Sequence, residues 1–498
     1  MLIPEFSNTY AALGASFSTA LEPTPVPSPE LVKVNDELAK LLGFEPADLA
    51  SEKGVNMLAG NESFEGMAPL AAVYAGHQFG QFNPQLGDGR AILLGEVVTS
   101  DKARFDVQLK GAGQTPYSRG GDGRAPLGPV LREYLVSEAM HALGVPSTRS
   151  LAAVTTGELV YREEPLHGAV LTRVASSHIR IGTFQYFAAK GMRDELKQMA
   201  DYVIQRHYPE AAHTAQPYVE LLIGVAKNQA SLIAKWQQLG FIHGVMNTDN
   251  VLLSGETIDY GPCAFLDVFN PEQVFSSIDR GGRYAYQNQP SIAHWNIMNF
   301  AQTLLPLIDE DTEKAVESAQ QVVDQFQGHY QTAYQEGMNR KLGLASDCVA
   351  GAALSDSFLA LLAEGQCDFT LAFRRLSEIF HETLSGSESA GAAGGDSVSA
   401  LFEFPASFAD WLQEWKQVLR EPGSASTNPT DIFKANPVYT PRNHLVEKAI
   451  LEGYQGNYQV FEDLLTRVTN PTMFNKQDAE YARAPKREEV VRQTFCGT

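Results

Sequence analysis

Apolar and polar positions follow a strand period in the early part of the chain and a helix period in the later part. Residues 105–110, FDVQLK, alternate strictly, which is typical of a strand with one buried face. Apolar stretches at 91–97, 150–161 and 170–173 predict further strands. Between residues 218 and 239, apolar side chains recur at helical spacing and predict a long core helix ending at Gly240. The pattern therefore predicts an α+β protein.

Helices are also predicted outside that block. A helix over residues 30–42 follows a stretch at 22–29 that its prolines hold extended. Another, over 130–143, lies among the predicted strands and ends at Gly144. The remaining predicted helices span 194–205, 292–308 and 312–334.

Composition restricts the partners. The chain has 498 residues, 44% of them hydrophobic, and a net charge of −21, which argues against a general nucleic-acid or anionic-membrane binder. It contains no apolar run of the roughly 18 residues that a membrane span needs. Its beginning lacks the pattern of a signal peptide, and its four cysteines form no C-x-x-C pair. These features predict a cytoplasmic protein.

The most informative stretch is residues 241–261, FIHGVMNTDNVLLSGETIDYG. Protein kinases carry H-R-D-x-x-x-x-N and then D-F-G. Counted from His243, the seventh following residue is Asn250, and a D-x-G triad begins at Asp259. With 251–253 as a short strand between them, Asn250 and Asp259 would supply two hard oxygen ligands for a magnesium ion bound to nucleotide phosphates.

One kinase residue is absent from this stretch. Val245 stands where a kinase has its catalytic aspartate, and valine cannot accept a proton. The nearest carboxylate is Asp249, immediately before Asn250. The stretch is therefore interpreted as nucleotide and metal binding with the usual base removed or moved. The alternative is a surface turn rich in Asn and Asp.

A glycine-rich block precedes the first predicted strands. Residues 76–96 contain five glycines and are interpreted as a loop that enters the strand at 91–97. Gly87 and Gly89 would let backbone N–H groups approach phosphate, and Arg90 would add a planar fork of donors. An ordinary turn remains the alternative.

Lys110 ends the alternating strand. A kinase pairs the corresponding lysine with a glutamate on the next helix. The predicted helix over 130–143 offers Glu133 and Glu138, and Glu133 is preferred because it follows Lys110 by 23 residues, close to kinase spacing. The alternative is a solvated lysine at a strand end.

Further candidate phosphate contacts flank that strand. The turn at 114–129 carries Asp122 and Gly123 and makes a second phosphate cradle plausible. Arg173 and Arg180 are seven residues apart in an otherwise acidic protein. Such a pair faces an anion or a buried carboxylate, or is simply solvated.

Together these blocks resemble the selenoprotein O family, also called YdiU. The resemblance rests on YAGHQFGQFNPQLGDGRA, QLKGAGQTPYSRGGDGRAPLGPVLREYLVSEAM, RVASSHIRIGTFQ, HGVMNTDN and IDYGP. It implies a two-lobed, protein-kinase-like fold with N- and C-terminal extensions. It also implies binding of ATP in a flipped orientation and transfer of AMP to Ser, Thr or Tyr hydroxyls of proteins with Mg²⁺ or Mn²⁺. UMP transfer with Mn²⁺ stays open.

The resemblance assigns roles by motif. Asp249 would accept the proton, and Asn250 and Asp259 would bind the metal. Cys496 matches the place near the C-terminus where some members carry selenocysteine or cysteine, and Cys263 is a possible disulfide partner, the alternative being two unrelated thiols. The implied nucleotide contacts are Gly87, Gly89, Arg90, Lys110, Asp122, Gly123, Arg173, Arg180 and Asp259.

The predicted organisation follows from these assignments. It comprises a wrapping extension at 1–70, a strand-rich nucleotide-binding lobe at 71–190, a helical lobe at 191–385, a mobile loop at 386–400 and a helical extension at 401–498. The expected partners are ATP and protein substrates, with no nucleic acid or membrane, and the protein is expected to be a monomer. Two other functions stay open at this point, a kinase that uses Asp249 as its base and a silent ATP-binding scaffold.

Overall fold

The computed structural model describes residues 4–385 and 397–495 and has a mixed α+β architecture. Its strands are β1 (Ser18–Ala20), β2 (Glu30–Val34), β3 (Leu70–Ala72), β4 (Gly76–Gln78), β5 (Gln81–Asn83), β6 (Ala91–Val98), β7 (Arg104–Lys110), β8 (Ala125–Pro126), β9 (Arg149–Tyr161), β10 (Pro165–Ala175), β11 (Phe241–Ile242) and β12 (Ala264–Phe265).

Sixteen α-helices lie within the described residues, and twelve of them follow β10. They are α1 (Asp36–Leu41), α2 (Pro46–Leu49), α3 (Glu52–Ala59), α4 (Leu127–Ala142), α5 (Ile181–Ala189), α6 (Arg193–His207), α7 (Pro217–Leu239), α8 (Gln289–Ile308), α9 (Thr312–Lys341), α10 (Gly351–Glu364), α11 (Phe369–Ser385), α12 (Ala409–Arg420), α13 (Asp431–Ala435), α14 (Asn443–Tyr454), α15 (Gln459–Val468) and α16 (Ala479–Ala482). The predicted core helix is confirmed as α7, and Gly240 ends it at φ 69°.

An eight-stranded antiparallel sheet holds most of the strands. Its order is β1-β3-β6-β7-β10-β9-β2, with β8 paired to β10. Strand β7 lies between β6 and β10, so that Lys110 is paired with Ala91 on one side and Leu171 on the other. The N-terminal extension supplies both edge strands, β1 and β2, to this sheet.

The predicted helix over residues 30–42 is wrong in its first half. Residues Glu30–Val34 form β2 and pair with β9, because their β-branched and alternating side chains suit a sheet edge. The helix begins only after Asn35, whose side chain accepts a hydrogen bond from the backbone N–H of Leu38. An N-cap residue of this kind fixes the start of α1.

Helix α4 is covered on two sides. Leu131 and Tyr134 belong to one buried cluster with Leu171 of the sheet and Phe461 of α15. The hydroxyl of Tyr454, at the end of α14, accepts a hydrogen bond of 3.0 Å from the backbone N–H of residue 128. The C-terminal helices therefore hold α4 against the sheet.

The stretch at 251–253 is not the regular strand that its apolar residues predict. Only Leu252 forms an isolated bridge, with Arg180. The N–H of Leu253 donates to Ile179 O and the N–H of Ile181 donates to Val251 O, each across 3.0 Å. Because α5 begins at Ile181, this pairing cannot extend into a ladder.

Two predictions fall partly outside the described residues. Residues 386–396 of the predicted mobile loop are not described, whereas residues 397–400 contain a short 3₁₀ turn in which Val398 is fully buried. Cys496 is also outside the described residues. Within residues 4–385 and 397–495, no helix is both long and apolar enough to cross a membrane.

Candidate active site

Lys110 lies at the centre of a buried charge cluster. Its Nζ is 2.5 Å from Oε2 of Glu133, on α4, and 3.0 Å from Oδ1 of Asp259. Glu138 instead binds Arg149 through both carboxylate oxygens, at 2.9 and 2.6 Å. Lys110 is buried, so the alternative of a solvated lysine is wrong.

Arg173 joins the same cluster from β10. Its Nε donates to Oε1 of Glu133, and its Nη2 lies 3.2 Å from Oδ1 of Asp259. Strand pairing fixes this placement, because β10 lies directly beside β7 and α4 packs against β9 and β10. Lys110 and Arg173 thus share two carboxylates in a buried site.

Arg180 extends the positive charge toward the catalytic stretch. Its Nη1 donates to the carbonyl of Asp249 across 2.7 Å, and its Nη2 lies 3.5 Å from Oδ1 of Asp88. The guanidinium stacks on the ring of Tyr74, with its carbon 4.5 Å from the ring centroid. Arg173 and Arg180 are both buried, so the alternative of a solvated pair is wrong.

The cluster keeps its carboxylates ionised. Burial alone would raise the pKa of Asp259, but Lys110, Arg173 and Arg90 outweigh burial and lower that pKa. The pKa of Glu133 is lowered in the same way, with Arg173 and Lys110 opposing the effect of burial. Asp259 also has φ 70°, a left-handed conformation that is uncommon for a residue with a side chain and is enriched at functional sites.

The first glycine turn packs against the second. A Cβ atom on Gly87 would lie 2.5 Å from the ring of Tyr117, and one on Gly89 would lie 2.8 Å from the carbonyl oxygen of Tyr117. Thr115 donates to the carbonyl of Asp88 across 2.7 Å. These glycines allow the two turns to meet beside Arg90, whose charge acts on Asp259.

Asp122 does not join the buried cluster. Its carboxylate accepts two hydrogen bonds from Arg162, at 2.8 and 3.1 Å, and its side chain is 42% exposed. Gly123 has φ 68°, and a Cβ atom there would collide with the carbonyl of Gly113. In this structure the pair shapes the second turn and meets solvent.

His243 and Asn250 are fixed by hydrogen bonds to the backbone. Nε2 of His243 is 2.8 Å from the carbonyl of Ile258, and its Nδ1 accepts from the N–H of Val245. This network assigns the neutral tautomer, and burial lowers the histidine pKa. Nδ2 of Asn250 donates to the carbonyl of Val245 across 3.0 Å, so its amide oxygen is the atom left for a ligand.

Asp249 is a buried carboxylate with few hydrogen bonds. Its Oδ2 accepts from Nε2 of Gln78 across 3.2 Å, and its Oδ1 is buried with no hydrogen-bond partner among the described residues. Burial raises its pKa to about 6, although Arg180 and Gln78 oppose the shift. A carboxylate with this pKa is ionised at neutral pH and can accept a proton.

The hairpin of β4 and β5 covers the catalytic stretch. The N–H of His77 donates to Oγ1 of Thr248 across 2.7 Å, and the N–H of Phe79 donates to Oδ1 of Asn247 across 3.0 Å. The prediction of a loop over these residues is therefore wrong. Gln78, like Asp88, escaped the sequence analysis, although the repeated Q-F in GHQFGQFN is the one signal that pointed to a short hairpin.

The donor set suits a hard cation that also binds phosphate. Within the described ranges, no three His, Cys, Asp or Glu side chains converge as a complete metal site. Asn250 offers its amide oxygen, and Asp259 meets both of its cationic partners through Oδ1. Two such oxygens fit Mg²⁺ or Mn²⁺ when nucleotide phosphates and water complete the coordination.

Cys263 lies just beyond Asp259. Its thiol is fully buried and lies 3.4 Å from the carbonyl of Tyr260. The C-terminal tail reaches this point, because Oγ1 of Thr494 donates to the carbonyl of Pro262 across 2.6 Å. The tail is thus anchored next to Cys263.

Comparison with known proteins covers the whole of this site. A model of the family described as protein adenylyltransferase SelO matches residues 1–469. A protein nucleotidyltransferase YdiU of Rhodopseudomonas palustris (strain BisB5) is 53% identical over 496 residues, 99% of each chain. That of Bradyrhizobium diazoefficiens is 52% identical over 495 residues, again 99% of each chain. That of Nitrobacter hamburgensis is 51% identical over 494 residues, 99% of this chain and 96% of its own.

Proposed function

The chain belongs to the protein adenylyltransferase SelO family, and from this premise we propose that it transfers AMP from ATP to Ser, Thr or Tyr hydroxyls of other proteins. The single observation that carries the proposal is the position of Asp249. This carboxylate, with its pKa raised to about 6, lies beside a buried cationic cluster to which Arg180 connects it. Family membership also argues against the two other functions, a kinase and a silent scaffold.

We propose a kinase-like arrangement for the elements around this cluster. The lysine on a central strand, its glutamate on the following helix, and an aspartate between the two strands of a short ribbon occur in that order. In that comparison β7 carries Lys110, α4 carries Glu133, and Asp259 lies between β11 and β12. The strand-rich part and the helical part then correspond to two lobes with the nucleotide between them.

The cationic cluster is suited to the polyphosphate of ATP. Lys110, Arg173, Arg180 and Arg90 supply four positive charges around Asp259 and its neighbours. Fixed cations in a site screened from water bind phosphate oxygens strongly and need no reorganisation during reaction. If ATP binds with its β- and γ-phosphates here, its α-phosphorus faces outward toward Asp249.

Asp249 then acts as the general base. An acceptor hydroxyl attacks the α-phosphorus and gives its proton to the carboxylate, through Oδ1, since Gln78 occupies Oδ2. The bond from the α-phosphorus to the bridging oxygen breaks, and pyrophosphate leaves while still in contact with the cations. Residue 245 takes no part in this proton transfer. A valine can therefore stand where a kinase has its catalytic aspartate.

A divalent cation fits this proposal through Asn250 and Asp259. When bound, Mg²⁺ or Mn²⁺ would neutralise charge that develops on the phosphate oxygens. Asp259 stays ionised because Lys110 and Arg173 lower its pKa, so the ligand is in the required state at all physiological pH values. The hydrogen bond from Asn250 to Val245 orients the amide before the ion arrives.

The test is mass spectrometry of an acceptor protein after incubation with the enzyme, ATP and either Mg²⁺ or Mn²⁺. The proposal requires AMP on Ser, Thr or Tyr and release of pyrophosphate. A parallel reaction with UTP and Mn²⁺ would show whether UMP is transferred. Phosphoryl groups on the acceptor, or no modification despite ATP binding, would contradict the proposal.

We further propose that Cys263 and Cys496 form a redox-sensitive disulfide. Thr494, two residues before Cys496 in the sequence, contacts Pro262, which directly precedes Cys263. In a reducing cytoplasm such a bond would form only under oxidation. Activity should then differ between oxidised and reduced protein, and the difference should vanish in Cys496→Ala. Mapping of the non-reduced protein to a Cys263 pair with Cys348 or Cys367 would contradict this.

A further inference from the structure

Arg283 lies at the edge of the catalytic stretch and is not used by the mechanism above. It follows two glycines in the segment between β12 and α8. Its guanidinium carbon lies 4.7 Å from the ring centroid of Trp295 and 5.7 Å from that of Tyr284. On the hairpin side it faces Gly80, where even a Cβ atom would be 3.7 Å away from this carbon. Gly80 of the hairpin therefore packs close to the guanidinium.

The guanidinium lacks a counter-charge. Its Nε and Nη2 are buried, and neither has a hydrogen-bond partner among the described residues, although the guanidinium lies near enough to the Tyr284 hydroxyl to interact with it. Within the same residues no carboxylate forms an ion pair with Arg283, in contrast to Arg173, Arg206 and Arg442, which all do. Buried donors without acceptors are rare in folded proteins, because their lost hydration is not replaced.

The two segments that meet at Arg283 contain no exposed acidic residue. Residues 76–87 contain no Asp or Glu, and residues 276–295 contain only Asp279. The carboxylate of Asp279 is buried and accepts from the N–H groups of Arg283 and Tyr284, at 2.9 and 2.7 Å, so it stabilises the turn. In a chain with a net charge of −21, this absence of exposed acid marks a local site for an anion.

This site adjoins the acceptor side of Asp249. The hairpin that meets Arg283 at Gly80 also supplies Gln78 to the Asp249 carboxylate. Tyr284 donates from its hydroxyl to Oδ1 of Asn247 across 2.6 Å, which ties the Arg283 segment to the catalytic stretch. The cationic cluster for ATP approaches Asp249 from Arg180 instead, through the Asp249 carbonyl.

We propose that Arg283 binds a carboxylate of the acceptor protein, from an Asp or Glu close in sequence to the hydroxyl that receives AMP. The inference rests on the proposed function and adds a substrate class to it, namely hydroxyl residues in an acidic context. A carboxylate can accept charge-assisted hydrogen bonds from the planar fork of a guanidinium. Stacking on Trp295 fixes the plane of that fork before the substrate arrives.

The experiment uses the full chain, ATP with Mg²⁺ or Mn²⁺, and serine peptides that differ only by Glu or Gln at one position near the serine. We expect kcat/KM to be about tenfold higher for Glu than for Gln at one position at least, the size of a charge-assisted hydrogen bond. In Arg283→Gln this ratio should fall to about one. In the matched control Arg280→Gln, an exposed arginine of the same turn, the ratio should stay as in the wild type.

Three outcomes would overturn the inference. The first is a wild-type ratio of kcat/KM for Glu over Gln that equals one at every position. The second is a preference for Glu that persists in Arg283→Gln, and the third is a loss of that preference in Arg280→Gln as large as in Arg283→Gln. A peptide series with phosphoserine in place of Glu separates the two sources of negative charge, and a preference for phosphate alone would contradict the carboxylate. A wild-type ratio of one at every position overturns the inference even if Arg283→Gln does not fold.

A binding measurement separates this inference from the proposed function. Fluorescence anisotropy of the labelled Glu and Gln peptides with Asp249→Asn and ATP reports recognition without transfer. If the wild type transfers AMP to no peptide, the proposed function fails. The role of Arg283 would still be supported if Asp249→Asn binds the Glu peptide more tightly than the Gln peptide and the double variant Asp249→Asn/Arg283→Gln does not. Equal binding of both peptides would contradict its role.

Discussion

Nε2 of Gln78 donates a hydrogen bond to Oδ2 of Asp249 across 3.2 Å, and so joins a glycine-rich hairpin to a carboxylate buried beneath it. The same hairpin binds Thr248 and Asn247 through its backbone. Three successive contacts of this kind fix the orientation of the carboxylate relative to the rest of the site. In the proposed mechanism the hairpin is therefore a positioning element for the base.

The close approach of the hairpin predicts that Gly76→Ala reduces transfer. A Cβ atom at this position would lie within 2.8 Å of Cγ of Asp249, so either the carboxylate or the hairpin must move. We expect kcat to fall about a hundredfold, since small displacements of a catalytic group have effects of that size. Gly328→Ala, in α9, is the control, because nothing lies within 4 Å of its added methyl group. Equal activity of both variants would contradict the positioning role.

The raised pKa of Asp249 predicts a pH-dependent stability difference in metal-free buffer. Burial raises this pKa from 3.8 to about 6 in the folded protein, so the folded state binds the proton more tightly than the unfolded state. The contribution of Asp249 to wild-type stability should fall as pH rises from about 4 to about 6, by at most about 3 kcal/mol. Asp249→Asn does not titrate and should gain stability relative to the wild type over this window.

Urea unfolding of both proteins at about pH 4 and about pH 8 measures this difference. The exposed Asp410→Asn serves as the control, since its carboxylate is in solvent. A free-energy difference between Asp249→Asn and the wild type that is the same at both pH values would show that Asp249 has an ordinary pKa.

The buried cluster predicts a large stability effect for Glu133→Gln. Loss of this charge leaves Lys110 and Arg173 buried with Asp259 as their remaining carboxylate. Removal of one partner from a buried ion pair typically destabilises a protein by about 3–5 kcal/mol. Asp122→Asn breaks an exposed pair with Arg162 and should cost about 1 kcal/mol or less. Similar unfolding free energies for the two variants would contradict the burial of the cluster.

The proposed metal site predicts a split effect for Asp259→Ala. Calorimetric titration with ATP should show at least a roughly tenfold loss of the affinity gained from Mg²⁺, because a carboxylate ligand is gone. ATP binding in chelator should not weaken, since Lys110 and Arg173 lose a competing carboxylate. The exposed Asp410→Asn, outside the site, should behave as the wild type in both titrations. Unchanged binding by Asp259→Ala in the presence of Mg²⁺ would contradict the metal assignment.

Local sequence patterns predicted the long elements well. Helix α7 has a continuous apolar stripe and a glycine at its end, and β7 alternates over its whole length, so neighbours in sequence decide both. The pairing of Lys110 with Glu133 could be anticipated from spacing along the chain. The helix predicted over residues 30–34 was wrong because a strand at a sheet edge depends on its partner β9, which is more than a hundred residues away.

The remaining features depend on tertiary contacts. Nothing local to Gln78 shows that it meets Asp249, 171 residues later, and nothing near Asp88 shows that it faces Arg180. The packing of α14 and α15 on α4 likewise joins segments about 300 residues apart. The pKa of Asp249 follows from burial by that assembly and could not be predicted from its neighbours in sequence.

The most direct test of AMP transfer uses ATP labelled in separate reactions on the α- and the γ-phosphate, with the wild type and Asp249→Ala. The proposed mechanism predicts that α-label alone becomes attached to the acceptor protein. It also predicts that Asp249→Ala loses this incorporation while its affinity for ATP, measured by calorimetry, is largely kept. Incorporation of γ-label, or undiminished α-label with Asp249→Ala, would contradict the account.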